Sequence, residues 1–190
     1  KISVALISNL LILGAMVAFM RPSFETNDDI VFAELGSGLR GVKDAHLVFQ
    51  NYGLGMIYRL LYGVTGRLPW YTIVQYMILF AAFTVVTYVL ISRLGEISGL
   101  CLFVILACGF GYEGYIHLQF TKTAGIAAAA AVFLLLYLLE QEKYSWWGIA
   151  GGILLAVIAY MYREDQFFAS SALMAGVGIY FIFTLKTYYH

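Results

Sequence analysis

Apolar residues run along this chain in blocks about as long as a lipid bilayer is thick, and short polar turns separate the blocks. A helix needs about 20 apolar residues to cross about 30 Å of hydrocarbon. The pattern predicts six such spans, at roughly 2–20, 70–92, 97–115, 121–139, 146–162 and 166–185. The last five are joined by "RLGEIS", "YEGYIHLQ", "EQEKYS" and "YREDQ". One connection is long, residues 21–69, and its apolar residues recur at helical spacing. Within it, "DDIVFAELGSG" offers Ile30, Val31 and Leu35 with Phe32 close by, and Gly36 and Gly38 to stop the helix. "HLVFQNYGLGMIYRLLYGVTG" offers Leu47, Leu54, Ile57, Leu61 and Val64, ended by Gly63 and Gly66. Both read as amphipathic helices lying along the membrane surface, anchored by aromatic and Arg side chains.

The fold class expected is therefore all-α, a polytopic transmembrane bundle forming one domain over 1–190, with one elaborated face. Composition agrees: 62% of residues are hydrophobic and 12% charged, where a soluble domain is about half apolar and a quarter charged. Eleven Lys and Arg balance eleven Asp and Glu, so nothing in the charge points to nucleic acid. Cys101 and Cys108 sit too far apart on one helix to bridge and read as small membrane-buried residues. The chain starts at Lys1, and with no small-residue cleavage site before "RPSF" the first block reads as a retained span.

The ionisable groups divide unevenly. One face, carrying 21–69, 113–122 and 163–165, gathers Glu25, Asp28, Asp29, Glu113, Lys122, Arg163, Glu164 and Asp165 among others. The opposite face has Lys1, Arg93, Glu96, Glu140, Glu142, Lys143 and Lys186, and apart from Glu113 and Lys122 near their ends the spans hold no Asp, Glu, Lys or Arg. Ion-coupled transporters keep ionisable groups at mid-membrane depth, so an interfacial site is expected in place of a conduction path. Counting Lys and Arg, seven against four, points the elaborated face to the cytoplasm. Most of the seven lie in the long structured connection, where they can serve a site, so orientation stays open.

A first span, an acidic pair in a long first loop of surface helices, then antiparallel spans with short turns resembles the front half of a GT-C-type glycosyltransferase. "TNDDIVFAELGSG…DAHLVFQNYGLGMIYRLLYGVTGRLPWY", "QFTKTAG" and "YREDQF" carry the likeness, which is similar to a group of bacterial membrane proteins of that type. Such enzymes have more spans, so the resemblance implies the N-terminal part of a longer chain in a bacterial cell membrane, with further helices or subunits. It implies transfer of a sugar from a polyprenyl-phosphate-linked donor in the membrane lipid to a cell-envelope acceptor.

That resemblance makes Asp28 or Asp29 the catalytic base. A carboxylate within hydrogen-bond reach takes the acceptor's proton, and a like charge or burial raises its pKa toward that task. Alternatively the pair holds a divalent cation, Mg or Mn, against the leaving phosphate. The plain reading is that Thr26 and Asp29 have capping-box spacing and acids suit a first helical turn.

Lys122, opening the fourth span, and Arg163 are the candidates for phosphate, the helix N-terminal amides assisting; their plain readings are snorkelling and pairing with Asp165 or Glu164. Asp165 joins them as a candidate substrate contact. His46, Gln50 and Asn51, placed on one helical face, can hydrogen-bond a sugar or simply be solvated. Glu113 and His117 make an i, i+4 pair short of a metal set. The aromatics read mostly as an interface belt. Gly148 and Gly152 predict close helix packing, as does the slim "GIAAAAA" of the fourth span. No Gly-rich phosphate loop, zinc-spaced Cys/His cluster or GxSxG elbow occurs. Two rivals stand beside the enzyme: a lipid-linked-glycan carrier of flippase type, and a structural subunit whose first loop docks a partner.

Overall fold

A computed structural model describes residues 1–141 and 145–188, with the side chains of 179 and 181–188 outside the description. It is all-helical apart from two short strands. In chain order it has α1 (Ile2–Phe19), β1 (Ser23–Phe24), α2 (Asn27–Ser37), α3 (Tyr52–Val64), α4 (Trp70–Leu94) and α5 (Glu96–Leu106). A π-helical turn at Ala107–Gly111 leads into α6 (Tyr112–Tyr115), then β2 (His117–Leu118), α7 (Phe120–Leu139), α8 (Trp146–Tyr162) and α9 (Glu164–Tyr188). Four segments are long and apolar enough to cross a membrane: Ile2–Phe19, Trp70–Leu94, Glu96–Tyr115 and Phe120–Leu139. These mark the chain as a membrane protein. Trp146–Tyr162 is a shorter apolar helix, and the sixth expected span falls within α9.

The centre of the bundle is α7, which packs against α4, α8 and α9. Its sequence explains why: Ala124, Ala127, Ala128, Ala130 and Ala131 are all fully buried. Small side chains let neighbouring backbones come close, which is how helices associate where lipid is as apolar as the protein. α8 answers with Gly148 and Gly152, where an added Cβ would lie 3.0 and 2.9 Å from Leu138 and Leu135 of α7. The expected glycine packing is therefore present.

Helix α1 lies at the periphery, with only Ala5 and Asn9 buried. Ile12, Leu13 and Met16 pack against the α4–α6 cluster, and a polar tie is added to them. Asn9 donates to the Phe80 carbonyl (2.8 Å) and to Thr84 Oγ1 (2.9 Å), and accepts from the Tyr115 hydroxyl (2.8 Å). All three partners lie in other elements, so one amide ties α1 to α4 and α6.

On the elaborated face, β1 and β2 pair in parallel, Ser23 opposite His117 and Phe24 opposite Leu118. The ladder is extended by Ser23 N–H to Ile116 O (2.9 Å) and Glu25 N–H to Leu118 O (3.0 Å). This clasp fixes the start of the first loop against the chain entering α7. The sequence pattern does not predict it, since two residues give no strand period to read. The two faces separate as the turn count predicts: on the opposite face, Arg93 pairs with Glu140 and stands over the Tyr137 ring. Glu142 and Lys143 lie outside the described residues, as does the Lys186 side chain. Cys101 and Cys108 are free and exposed on the outside of the bundle.

The surface helices exist, and the apolar residues expected on them divide between buried and exposed positions. In α2 the buried stripe is Asp29, Phe32 and Gly36, while Ile30 is exposed. In α3 it is Leu54, Gly55, Tyr58 and Tyr62, with Ile57, Leu60 and Val64 outside. The tyrosines go inward because their hydroxyls find partners there, and the aliphatic side chains go outward because lipid accepts them. Gly55 is forced by proximity: a Cβ there would lie 2.0 Å from the Ala45 carbonyl oxygen. The aromatics are correspondingly less of a belt than expected. Tyr58, Tyr71, Tyr115 and Tyr162 are among the largest fully buried side chains, whereas Trp146 and Trp147 at the start of α8 are exposed.

Replacing Asn9 with Leu keeps the volume and removes all three bonds. The expected loss is about 1–2 kcal/mol, read as a lower thermal midpoint in detergent. Ser3→Ala, at an exposed position of the same helix, is the control and should leave the midpoint unchanged.

Candidate functional site

The first turn of α7 organises the elaborated face, because three successive residues each hold a different element. The Phe120 amide, first of the helix, donates to Asp29 Oδ1 at 3.1 Å. The Thr121 hydroxyl accepts from Arg163 Nη1 at 2.8 Å. Lys122 pairs with Glu25 at 2.5 Å and with Glu113. Groups from the first loop, from the α6 turn and from the α8–α9 junction thus meet within one turn.

Asp29 is fully buried. Its Oδ1 also accepts from the Tyr71 hydroxyl (2.9 Å) and Gln75 Nε2 (3.0 Å), and its Oδ2 from the Thr26 hydroxyl (2.8 Å). Three donors thus converge on Oδ1 and one on Oδ2. No cation lies within ion-pair distance among the described residues. Burial pushes the carboxyl above its ordinary range, while the bonds from Gln75, Thr26, Tyr71 and Phe120 pull it back only in part. Thr26 is the N-cap residue of α2 by backbone, yet its hydroxyl donates to the Asp29 carboxylate and caps no amide. The capping-box expectation is thereby corrected: Asp29 serves the N-terminus of α7, not its own helix.

Around it lies a buried polar shell. Gln50 Nε2 donates to the Tyr71 hydroxyl (3.1 Å), and the Tyr62 hydroxyl accepts from the Tyr71 amide (3.2 Å). The hydroxyls of Tyr58 and Tyr162 are 2.7 Å apart. Complete burial, with the Tyr162 and Tyr71 hydroxyls nearby, pushes the Tyr58 hydroxyl well up and keeps it neutral. The amide oxygens of Gln50 and Gln75 are buried without a partner.

Asp28 faces away. It is exposed at the start of α2, since adjacent helical residues point about 100° apart. The pair therefore does not fit a shared divalent cation: one carboxylate is buried among four donors and the other is exposed and diverges from it. No group of three or more His, Cys, Asp or Glu gathers among the described residues.

Arg163 adds Nε to Asp165 Oδ1 (2.9 Å) to its bond with Thr121, and its guanidinium lies over the rings of Phe49 (5.4 Å) and Phe120 (5.5 Å). The structure thus gathers Asp29, Lys122, Arg163 and Asp165 at the α7 start, but gives Lys122 two carboxylate partners and the Phe120 amide to Asp29.

His46, Gln50 and Asn51 do not share a helical face. Residues 46–51 are a loop with a turn at 48–49, and Asn51 is itself the N-cap of α3, its Oδ1 accepting from the Gly53 amide (2.8 Å). Gln50 is buried toward Tyr71. His46 stands exposed beside Asp44 (2.9 Å), whose carboxyl the His46 amide and ring hold below the usual range. His117 lies in β2, 3.2 Å from the Tyr112 hydroxyl, and Glu113 belongs to Lys122, so the expected i, i+4 pair is not formed.

Sequence reading missed Tyr71, Gln75 and Tyr58. Gln75 had a signal, being the only amide side chain in the expected 70–92 span.

Substituting Asp29 tests this hub. Asp29→Ala leaves the buried Tyr71, Gln75 and Phe120 donors unsatisfied, at about 1–3 kcal/mol each, and the expected result is loss of folded protein. Asp29→Asn keeps an acceptor for those three donors and is milder. The pH dependence has a definite sign. A carboxyl raised in the folded state binds more protons folded than unfolded, so stability falls as pH rises from about the ordinary 3.8 through the raised value. Across that window the thermal midpoint of wild type should fall relative to that of Asp29→Asn, the other carboxyls contributing equally to both.

No protein-family model matches the chain, and no curated protein or solved structure matches it.

Proposed function

We propose that the protein is a membrane glycosyltransferase, or part of one, that moves a sugar from a polyprenyl-phosphate donor to a cell-envelope acceptor. What supports this reading is the convergence of an anchored carboxylate, a guanidinium and an ammonium on the first turn of α7, at the membrane boundary. In it Asp28 is the base and Asp29 the positioning residue. Asp29 is buried and its carboxylate already accepts four hydrogen bonds, whereas Asp28 is exposed on the helix that Asp29 anchors. Proton removal from the acceptor hydroxyl accompanies its attack on the anomeric carbon, and the donor's phosphate leaves with the bonding pair.

Arg163 is the better of the two phosphate candidates. Its Nη2 carries no hydrogen bond among the described residues, while Lys122 is charge-matched by Glu25 and Glu113. Thr121 and the two aromatic rings hold the guanidinium plane still, which favours bidentate contact with a phosphate.

The test is transfer from radiolabelled polyprenyl-phosphate sugars by the longest native chain in detergent or vesicles. Asp28→Asn is expected to lower turnover by about 10²–10⁴ with an unchanged thermal midpoint. Turnover that survives Asp28→Asn removes the base from this scheme. Donor bound but never transferred by wild type makes the protein a carrier, and neither event leaves a structural subunit.

A further inference from the structure

Away from the α7 start, a groove runs between α2 and the turn joining α3 to α4. Its walls are apolar: Ile30, Ala33 and Leu39 on one side, Leu68 and Pro69 on the other. Leu39 is 81% exposed, and Ile30 and Leu68 are each 44% exposed. Pro69 and Trp70 open the span α4, so the groove lies where hydrocarbon gives way to headgroups. At that depth an exposed aliphatic wall is solvated by lipid tails, not water.

The groove is also charged at one point. Glu34 and Arg67 both line it. Glu34 is neutralised by Arg40 at 2.5 Å, which leaves Arg67 as the uncompensated charge. Most other cations of this face are engaged: Lys43 donates to the Tyr62 carbonyl (2.6 Å), and Lys122 and Arg163 hold the partners already described. Among the described residues Arg21, Arg59 and Arg67 have no acidic partner, and of these Arg67 alone lines the groove. Ser37 and Thr72 add hydroxyls to the same lining.

We propose that this groove binds a monoanionic phosphodiester lipid of the surrounding bilayer, with its phosphate on Arg67 and its tail along Ile30, Leu39 and Leu68. One net positive charge matches one phosphodiester. The Glu34–Arg40 pair, Ser37 and Thr72 suit a hydroxylated headgroup, as in phosphatidylglycerol, and offer no anion to a choline cation, because the Glu34 charge is already matched. The lipid would brace α2 against the α3–α4 turn from the membrane side. Nothing in this binding depends on sugar transfer.

The experiment uses the full chain in phosphatidylcholine vesicles doped with a small fraction of photoactivatable phosphatidylglycerol, with cross-links mapped by mass spectrometry. Labelling is expected at the groove, displaced by unlabelled phosphatidylglycerol and not by more phosphatidylcholine. Arg67→Gln should lower it about tenfold, the loss of a charge-assisted phosphate contact, and Leu39→Asp should lower it as well. Both residues are exposed, so neither change threatens the fold. Arg59→Gln, on the outer side of α3, should leave labelling unchanged. Equal losses from Arg59→Gln and Arg67→Gln would reduce the effect to general attraction of anionic lipid and overturn the site. So would labels spread over all outer helix faces, or displacement by inorganic phosphate as effective as by lipid. Because the readout is binding alone, an inactive wild type in the transfer assay ends the enzyme reading and leaves the groove standing. Unchanged labelling in Arg67→Gln does the reverse.

Discussion

A carboxylate without a cation, sealed from solvent, is the constraint around which the elaborated face is built. Moving an ionised Asp out of water costs several kcal/mol even after relaxation, and the donors around Asp29 offset part of that cost only while all of them are in place. Those donors come from three elements: Thr26 before α2, Tyr71 and Gln75 on α4, and the Phe120 amide opening α7. The positive end of the α7 dipole adds to the same balance. Displacing any one helix strands the charge, so α2, α4 and the start of α7 are coupled. The β1–β2 clasp works toward the same end, since it sets Thr26 and Asp29 at the right height above Phe120.

Lipid as solvent explains the rest of the packing. Where the surroundings are as apolar as Leu, burying aliphatic surface gains little, and small residues and hydrogen bonds choose what faces inward. This accounts for the all-alanine face of α7, for Asn9 holding α1, and for the inside-out character of α3. It also separates two kinds of tyrosine. Tyr58, Tyr62, Tyr71 and Tyr162 are interior because each hydroxyl has a partner, and tilted ring contacts such as Tyr58 to Tyr71, 5.1 Å between centroids, fill the space around Asp29.

What could be read from the chain follows from this. The apolar helices were legible because bilayer thickness constrains their length and composition, and the ends of α1, α4 and α8 fall within two residues of expectation, although among the described residues four of the six expected spans are long and apolar enough to cross. Division of charge between two faces was legible for the same reason. Helix faces were less so: the apolar residues read as one face of α3 divide, Leu54 being buried and Ile57 and Val64 exposed, and nothing in the spacing marks Tyr58 as interior. The loop at 46–51 was misread as helix because apolar spacing ran through it, although Asn51 before Tyr52-Gly53 is a good N-cap. Asp28 and Asp29 were inseparable in sequence. Only the partners of Asp29 on α4 and α7, 42 to 91 positions away, divide them.

That division has a physical consequence for any chemistry at this face. A base must be reachable and must keep a lone pair free, while the residue that fixes its position does better saturated and dry. One side chain cannot satisfy both demands, but neighbours on one helical turn can, since they point about 100° apart. Asp29 is spent on position, which leaves Asp28 projecting from a helix whose mobility its neighbour has removed. The same reasoning separates the cations. Lys122 and Arg163 lie among the groups they help to hold, whereas Arg67 sits without an acidic partner beside an apolar groove at the bilayer edge, where the abundant anions are lipids.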